Sequence, residues 1–230
     1  LTGTRFNDVL TGPTGSNTID GGAGDDVIDS GAGATIADTL IGGIGTDTLL
    51  YTSATAGVTM NLSLTTAQTT GGAGSDTISG FENLTGSGFN DVLTGTTGAN
   101  TIDGAGGNDS IQGGAGDDIL IGNAGTDTVT YAAAATAVTV NLALTTAQDT
   151  LGAGIDTLAT FENLTGSRFN DTLTGDTGSN SIDGGAGNDT IQGGDGNDTL
   201  IGNAGTDTVS YAAAATAVTV NLALTTAQDT

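Results

Sequence analysis

The chain has 230 residues and a formal net charge of −24, because 26 acidic residues face only Arg5 and Arg168. Nucleic acids and anionic membrane surfaces bind through Lys and Arg, so we expect neither as a partner, and no apolar run approaches the roughly 20 residues of a membrane span. The absence of cysteine excludes disulfides and thiolate metal sites.

A nine-residue unit recurs from the first residues onward, with a glycine turn, an acidic residue and an aliphatic residue in fixed positions. Five units each follow Gly3, Gly86 and Gly166, and single units begin at Gly71 and Leu151. Nine residues suffice for one tight turn and one short strand, which is typical of a solenoid. The eighth position is always aliphatic and is predicted to point inward: Leu10, Ile19, Ile28, Leu40, Leu49, Ile78, Leu93, Ile102, Ile111, Leu120, Val129, Leu158, Leu173, Ile182, Ile191, Leu200 and Val209.

Each unit predicts one short strand, such as Thr190–Gln192, with its middle side chain inward. Residues 218–222 alternate like a longer strand, and Glu162–Thr165 reads as another. Two strands per coil give an all-β parallel solenoid. Eight strands per module would return the chain to the same face after each module.

A longer repeat organises these units. A 20-residue segment beginning at Tyr131 recurs identically at Tyr211, 80 residues later, and a relative begins at Tyr51. We therefore expect one continuous roll of three modules, 1–70 (partial), 71–150 and 151–230. The longer unit at Ser30–Ile41 predicts a widened turn. Since the chain begins and ends inside a repeat, we expect it to be part of a longer protein.

The units resemble the nonapeptide GGxGxDxUx of the repeats-in-toxin (RTX) family of calcium-binding β-rolls, over about two-thirds of the chain. The resemblance implies a right-handed parallel β-roll with Ca²⁺ in its turns. Glycine supplies positive φ, and Asn or Asp at position five, such as Asn188, tolerates the left-handed conformation. Calcium takes six to eight hard oxygen ligands, which two stacked turns could supply.

The same resemblance implies that each ion lies between two turns on one edge, so that position six of one unit pairs with position six of the second unit after it. The predicted ligand pairs are Asp8 with Asp26, Asp26 with Asp47, Asn17 with Asp38, Asp91 with Asp109, Asp109 with Asp127, Asn100 with Asp118, Asp171 with Asp189, Asp189 with Asp207, Asn180 with Asp198, Asp76 with Asp91, and Asp156 with Asp171. These pairs allow up to about 11 calcium ions. The edges that carry Asn are expected to bind more weakly, because ligand charge tunes affinity. Units with Phe6, Phe89 and Phe169 carry Phe where glycine is usual, which leaves their turn geometry open.

The two Phe-Glu-Asn segments and the three tyrosines could each have a structural or a functional role. The Phe81–Asn83 and Phe161–Asn163 segments are expected to be corners that pack an aromatic ring into the roll, with ligand binding as the alternative. The three tyrosines are expected to close the ends of blocks, with a partner surface as the alternative.

Three function classes follow from the repeats. We favour a calcium-binding structural segment of a large secreted surface protein, such as an adhesin, surface layer or filament, extracellular and stacked on neighbouring repeats or copies of itself. The alternative is the calcium-triggered export and folding region of a toxin or exoenzyme, and ice or carbohydrate binding by threonine-rich faces is a third reading. Catalysis is not expected, because the chain has no His or Lys to act as a base. We expect the calcium-free chain to be unfolded and to fold after export.

Overall fold

A computed structural model describes residues 1–31, 36–215 and 217–220, and these residues contain strands and turns without helices. The first block contains β1 (Val9–Thr11), β2 (Thr18–Ala23), β3 (Val27–Asp29), β4 (Thr39–Ile44), β5 (Thr48–Leu50), β6 (Thr59–Asn61) and β7 (Gln68–Thr69). The second contains β8 (Ser75–Ser79), β9 (Asn83–Thr85), β10 (Val92–Thr94), β11 (Thr101–Asp103), β12 (Ser110–Gln112), β13 (Ile119–Ile121), β14 (Thr128–Thr130), β15 (Thr139–Asn141) and β16 (Gln148–Asp149). The third contains β17 (Ile155–Ala159), β18 (Asn163–Thr165), β19 (Thr172–Thr174), β20 (Ser181–Asp183), β21 (Thr190–Gln192), β22 (Thr199–Ile201) and β23 (Thr208–Val209).

The strands form where the nonapeptide predicts them, because each aliphatic eighth position becomes the inward residue of a three-residue strand. These residues form one hydrophobic cluster that extends from Ile19 to Ile191. Only Leu10, Leu200 and Val209, in the outermost coils, are not buried. The expected position of the core is therefore confirmed.

Strands pair in parallel with the strand two units away, in an unbroken register of like positions. Leu93 aligns with Ile111, for example, and Ile102 with Leu120. The strand orders are β1-β3-β5-β9-β11-β13-β17-β16, β22-β20-β18-β14-β12-β10-β6, β15-β19-β21-β23 and β2-β4-β8-β7. This arrangement is an all-β parallel solenoid with two short strands per coil. The described residues include no helix of the length and apolarity that a membrane crossing requires.

The expected return to the same face after each module is wrong. β10 and β19 begin equivalent blocks. β10 lies in the seven-stranded sheet that runs from β22 to β6, whereas β19 lies in the four-stranded sheet that runs from β15 to β23. Along the chain, the strands of this second sheet alternate with strands of the first. The cause is the Tyr segment. After β15 the chain doubles back through an antiparallel pair, in which Gln148 faces Asp156, and it does not cross the roll.

Two sequence expectations fall at least partly outside the described residues. The widened turn after Ser30 includes residues 32–35, and the strand expected at 218–222 includes 221 and 222. Residues 218–220 themselves form no strand.

Candidate metal-binding turns

Position six of each unit stands at the start of a strand, on the edge of the roll, and a carboxylate ladder runs along this edge. The Asp109 Oδ1 accepts the backbone N–H of Asp91 at 2.8 Å, and the Asp127 Oδ1 accepts that of Asp109 at 2.8 Å. Asp26 and Asp189 take part in the same way. The turns that the sequence pairs within each block therefore do lie next to one another.

Two of the predicted pairs do not form. Asp76 accepts the N–H of Asp38, and Asp91 accepts the N–H of Val58. β6 of the Tyr segment pairs with β10, so it occupies the place next to Asp91 that the sequence assigned to Asp76. The same displacement separates Asp156 from Asp171, whose ladder neighbour is Val138.

One class of turn has left-handed residues at positions two and four. In the turn before Asp118 these are Gly114 (φ 110°) and Gly116 (φ 110°), and in the turn before Asp109 they are Ala105 (φ 69°) and Gly107 (φ 118°). We call these open turns, because the second oxygen of their aspartate has no hydrogen-bond partner among the residues that the structure describes. Buried Oδ2 atoms without a hydrogen-bond partner belong to Asp26, Asp47, Asp109, Asp118, Asp127 and Asp189.

In four of these turns, those of Asp26, Asp47, Asp109 and Asp127, the orphaned oxygen lies beside a backbone carbonyl of the next coil. A Cβ added to Gly104 would contact both the Asp109 Oδ2 and, at 3.0 Å, the carbonyl oxygen of Gly122. Glycine at position one therefore leaves a small cradle into which a carboxylate and a carbonyl oxygen converge. Buried carboxylate oxygens are normally paired or bound to a metal, so this cradle fits a hard cation.

A second class of turn satisfies its own aspartate, and we call these closed turns. Asp91 Oδ2 accepts the N–H of Ser87 at 2.6 Å, and Asp171 Oδ2 accepts that of Ser167 at 2.5 Å. Positions two and four have no left-handed residue here, and a serine hydroxyl instead accepts the N–H of Phe89 at 3.1 Å. Asp8 is closed in the same way by Thr4. The Phe-containing units thus form a different turn.

The asparagines at position six use both ends of their amide in hydrogen bonds. The Asn100 Oδ1 accepts the N–H of Thr96, and its amide nitrogen donates to the carbonyl oxygen of Glu82 at 2.7 Å. Asn180 does the same with Asp176 and Glu162. Their role as weak ligands stays a prediction. Four other predicted ligands lie on the same edges without a buried orphaned oxygen among the described contacts: Asn17, Asp38, Asp198 and Asp207.

Position five tolerates the left-handed conformation but does not adopt it in these turns. Asn188, Asn108 and Asp117 have no positive φ, and each instead accepts a backbone N–H from the next coil, as Asn108 Oδ1 does from Thr126 at 3.0 Å. A second, exposed ladder therefore runs beside the carboxylate ladder.

Two members of the carboxylate ladder are glutamates that were not among the predicted ligands. Glu82 Oε2 accepts the N–H of Asp47 at 2.8 Å, and Glu162 Oε2 accepts the N–H of Asp127 at 2.8 Å. The signal was present, because Glu-Asn-Leu-Thr-Gly aligns with Asp-x-U-x-Gly of the nonapeptide. The rings of Phe81 and Phe161 are buried, as expected of corners.

Tyr51 and Tyr131 are buried and donate their hydroxyls to Asp76 at 3.1 Å and Asp156 at 3.0 Å. This is the expected structural closure at the end of a block. Because the tyrosine occupies the second oxygen, these two aspartates are not open.

Burial raises the pKa of several ladder aspartates above the usual range. The pKa is raised to about 7 for Asp109 and for Asp118, first by desolvation and then by neighbouring carboxylates, against the lowering effect of the ladder hydrogen bond. Desolvation likewise raises the pKa of Asp76 to about 6. Without a cation, the folded chain therefore disfavours its own ionised carboxylates.

The donor set of an open turn combines one or two carboxylates with backbone carbonyls. Among the described residues no three Asp, Glu, His or Cys side chains converge on one point. A cation here would therefore depend on main-chain oxygens for the rest of its ligands, a mixture that suits Ca²⁺. Fold and turns together define a parallel β-solenoid whose repeated turns are built for hard cations.

Comparison with known families agrees with this class. The pattern of the RTX calcium-binding nonapeptide repeat matches residues 2–36, 37–51, 70–83, 85–111, 94–129, 159–191 and 183–213, well over half of the chain. The chain belongs to this family, and it is a calcium-binding repeat region of the kind found in secreted proteins. The family is defined by a structural repeat and not by an enzymatic activity. No curated protein matches the chain.

Proposed function

We propose that the chain is a calcium-dependent structural segment of a large secreted surface protein, of the adhesin, surface-layer or filament type. The observation that carries this proposal is the row of buried, unpartnered aspartate oxygens at open turns. Calcium bound there would neutralise carboxylates whose burial is otherwise unfavourable.

Within the blocks, the proposed ligands are the aspartates of open turns, and at Asp26 and Asp109 the carbonyl oxygen of the next coil lies at their side. Asp26, Asp109, Asp118 and Asp189 are all almost completely buried. Closed turns such as that of Asp91 already use both oxygens and hold the roll together without an ion. The combination of the two classes makes folding depend on calcium, while the closed turns in each module hold without an ion.

Calcium that binds only the folded chain stabilises the fold by mass action. An extracellular site with a dissociation constant of about 0.1 mM, in about 1 mM calcium, contributes about 1.4 kcal/mol to folding. Several such sites together contribute an amount comparable with the net stability of a small domain. Because cytosolic calcium is far below such a dissociation constant, the chain folds after export, and its location is extracellular.

Near-identical modules favour the structural reading over a toxin or exoenzyme export region. Residues 131–150 and 211–230 are identical, and the hydrophobic cluster continues through the junctions between blocks. We propose that the three modules form one continuous roll that acts as a spacer and stacks on neighbouring repeats.

A calcium titration tests the proposal. Purified chain in excess chelator should give the far-ultraviolet circular dichroism of an unfolded polypeptide and should gain β-structure cooperatively as calcium rises to millimolar, with static light scattering separating folding from association. Magnesium at the same concentration is the control and should have little effect, because it demands a stricter geometry and loses water reluctantly. A native-like spectrum in chelator would contradict the proposal.

A further inference from the structure

Modules 71–150 and 151–230 each have a junction where β8 or β17 meets the next coil, and the repeat is shorter there. The inward residues Ile78 and Leu84 lie six positions apart, as do Leu158 and Leu164, whereas Leu93 and Ile102 within a block lie nine apart. The position-six residue of these short turns is Glu82 or Glu162. The chain contains no other glutamate.

The glutamates take the place of the ladder aspartate. Glu82 Oε2 lies 2.8 Å from the backbone nitrogen of Asp47, the same distance as that between Asp47 Oδ1 and the nitrogen of Asp26 in the coil before. The extra methylene lets the carboxylate reach the ladder from a shorter turn. The same arrangement recurs at Glu162 with Asp127, so it is built twice.

The aspartates that face these glutamates are fully buried and incompletely bonded. Asp47 and Asp127 are each 0% exposed, and the Oδ2 of each has no hydrogen-bond partner. A backbone carbonyl lies beside each orphaned oxygen. A Cβ added to Gly42 would contact the Asp47 Oδ2 at 2.8 Å and would also clash with the carbonyl oxygen of Gly80.

The second junction repeats this cradle. A Cβ added to Gly122 would contact the Asp127 Oδ2 at 2.6 Å and the carbonyl oxygen of Thr160. The oxygens that converge at the ordinary open turns are therefore also present at the junctions, and the second carboxylate there belongs to a glutamate.

We propose that Glu82 and Glu162 are ligands of two junction sites for a hard divalent cation, calcium, formed with Asp47 and Asp127. This inference rests on the proposed calcium-dependent function. The two ions would connect one block to the next, at the points where the nonapeptide pattern is interrupted and the chain doubles back. The junctions would thereby be as dependent on calcium as the blocks.

Counting ions tests this assignment. Wild type, E82Q/E162Q and a control D20N/D195N, which removes two charges outside the carboxylate ladder, are equilibrated with calcium and their bound calcium is measured by equilibrium dialysis. Glutamine keeps the oxygen that accepts the Asp47 N–H, so the ladder can persist while the charge is lost. The double variant should bind two ions fewer than wild type, each single variant one fewer, and the control none fewer.

The outcomes separate this inference from the proposed function. Equal stoichiometry in wild type and E82Q/E162Q overturns the junction sites alone, whereas a wild-type chain that binds no calcium overturns both proposals. If E82Q/E162Q does not reach the wild-type ellipticity, the variant is not fully folded, and the junction sites are then tested in the wild-type chain by nuclear magnetic resonance. With glutamate labelled at the carboxyl carbon, two resonances report on the two sites in saturating calcium.

Replacing calcium by strontium at constant pH should shift both resonances, because each labelled carbon is bonded to an oxygen that holds the ion. Two resonances that are the same with either ion would overturn the proposal.

Discussion

Tyr131 donates its hydroxyl to Asp156 at 3.0 Å, across the point where the chain doubles back from one module to the next. Both residues are buried, and the backbone N–H of Tyr131 also bonds to the carbonyl oxygen of Thr165 at 2.8 Å. Tyr131 thus connects the end of a block to the first two strands of the following module, through its side chain to β17 and through its backbone to β18. Tyr51 and Asp76 repeat the contact one module earlier.

Replacing this tyrosine should weaken the module junction. Y131F removes the shorter of two hydroxyl hydrogen bonds to the buried Asp156 carboxylate, the other coming from Thr150 at 3.3 Å, and hydrogen bonds to charged groups contribute about 1.5–3 kcal/mol. We expect a loss of that size in the free energy of unfolding in saturating calcium, measured by urea titration. Y211F is the matched control, because Tyr211 has the same sequence context but is only partly buried, and it should change stability by less than about 0.5 kcal/mol. Equal losses in the two variants would contradict this role.

The cradle glycines should tolerate no side chain. In G104A the new Cβ clashes with the Asp109 carboxylate and approaches the carbonyl of Gly122, so we expect a loss of about 1–3 kcal/mol and a higher calcium midpoint in circular dichroism. Gly88 is the control, since a Cβ there would have no atom within 4 Å. G88A should leave both quantities near wild type. A G104A chain with the wild-type calcium midpoint would show that the cradle is not used.

Truncating an aliphatic side chain to alanine should lower the stability of the roll in proportion to how deeply that side chain is buried. Ile111 is 0% exposed and lies in register between Leu93 and Val129, whereas Ile119 is 45% exposed. We expect I111A to cost about 2–5 kcal/mol and I119A about 1 kcal/mol or less, by urea unfolding in saturating calcium. Similar costs would mean that the roll does not hold this register in solution.

Calcium-free chain should be more structured in mild acid than at alkaline pH. The pKa of Asp109 and that of Asp118 are about 7 in the folded chain, and an aspartate in an unfolded chain has a pKa of about 3.9. Because these two carboxyl groups bind a proton more tightly in the folded chain than in the unfolded chain, protonation stabilises the fold. This stabilisation is complete below about pH 4 and is lost as the pH rises through about 7. Circular dichroism of calcium-free chain between pH 8 and pH 5 should therefore show β-structure increasing toward pH 5.

D109N/D118N is the control for this titration. Because asparagine has no carboxyl proton, the variant should show a smaller dependence on pH over the same range. An increase in β-structure with rising pH, or an unchanged dependence in the variant, would contradict the assignment.

Much of this architecture could be predicted from sequence, for a physical reason. The aliphatic residue at position eight recurs in phase, and only stacked coils bury such a row, so residues such as Ile111 and Ile182 define both strand and core. The ladder within a block follows from the same period. The consequences of the Tyr segment could not be predicted, because its antiparallel return depends on contacts such as Gln148 with Asp156 that no local pattern encodes.

The site was predicted less completely than the fold. The sequence assigns Asp91 and Asp109 the same ligand role and leaves the geometry of the Phe89 turn undetermined. The backbone at positions two and four then decides whether the second oxygen is closed or orphaned. Position two of the Asp91 unit is Ser87, whereas the open turns have a residue of positive φ at this position. This difference in sequence distinguishes the closed turn from the open one. Glu82 was missed because it lacks the preceding glycine turn, although its distance from Leu84 is that of a repeat aspartate.

The central claim is that buried aspartate oxygens at open turns hold calcium. Anomalous diffraction from crystals grown with calcium tests it most directly. The account predicts anomalous peaks beside the Oδ2 atoms of Asp26, Asp109, Asp118 and Asp189, with none beside the closed oxygens of Asp91 and Asp171. Peaks confined to the closed turns, or open-turn aspartates bonded only to water, would contradict it.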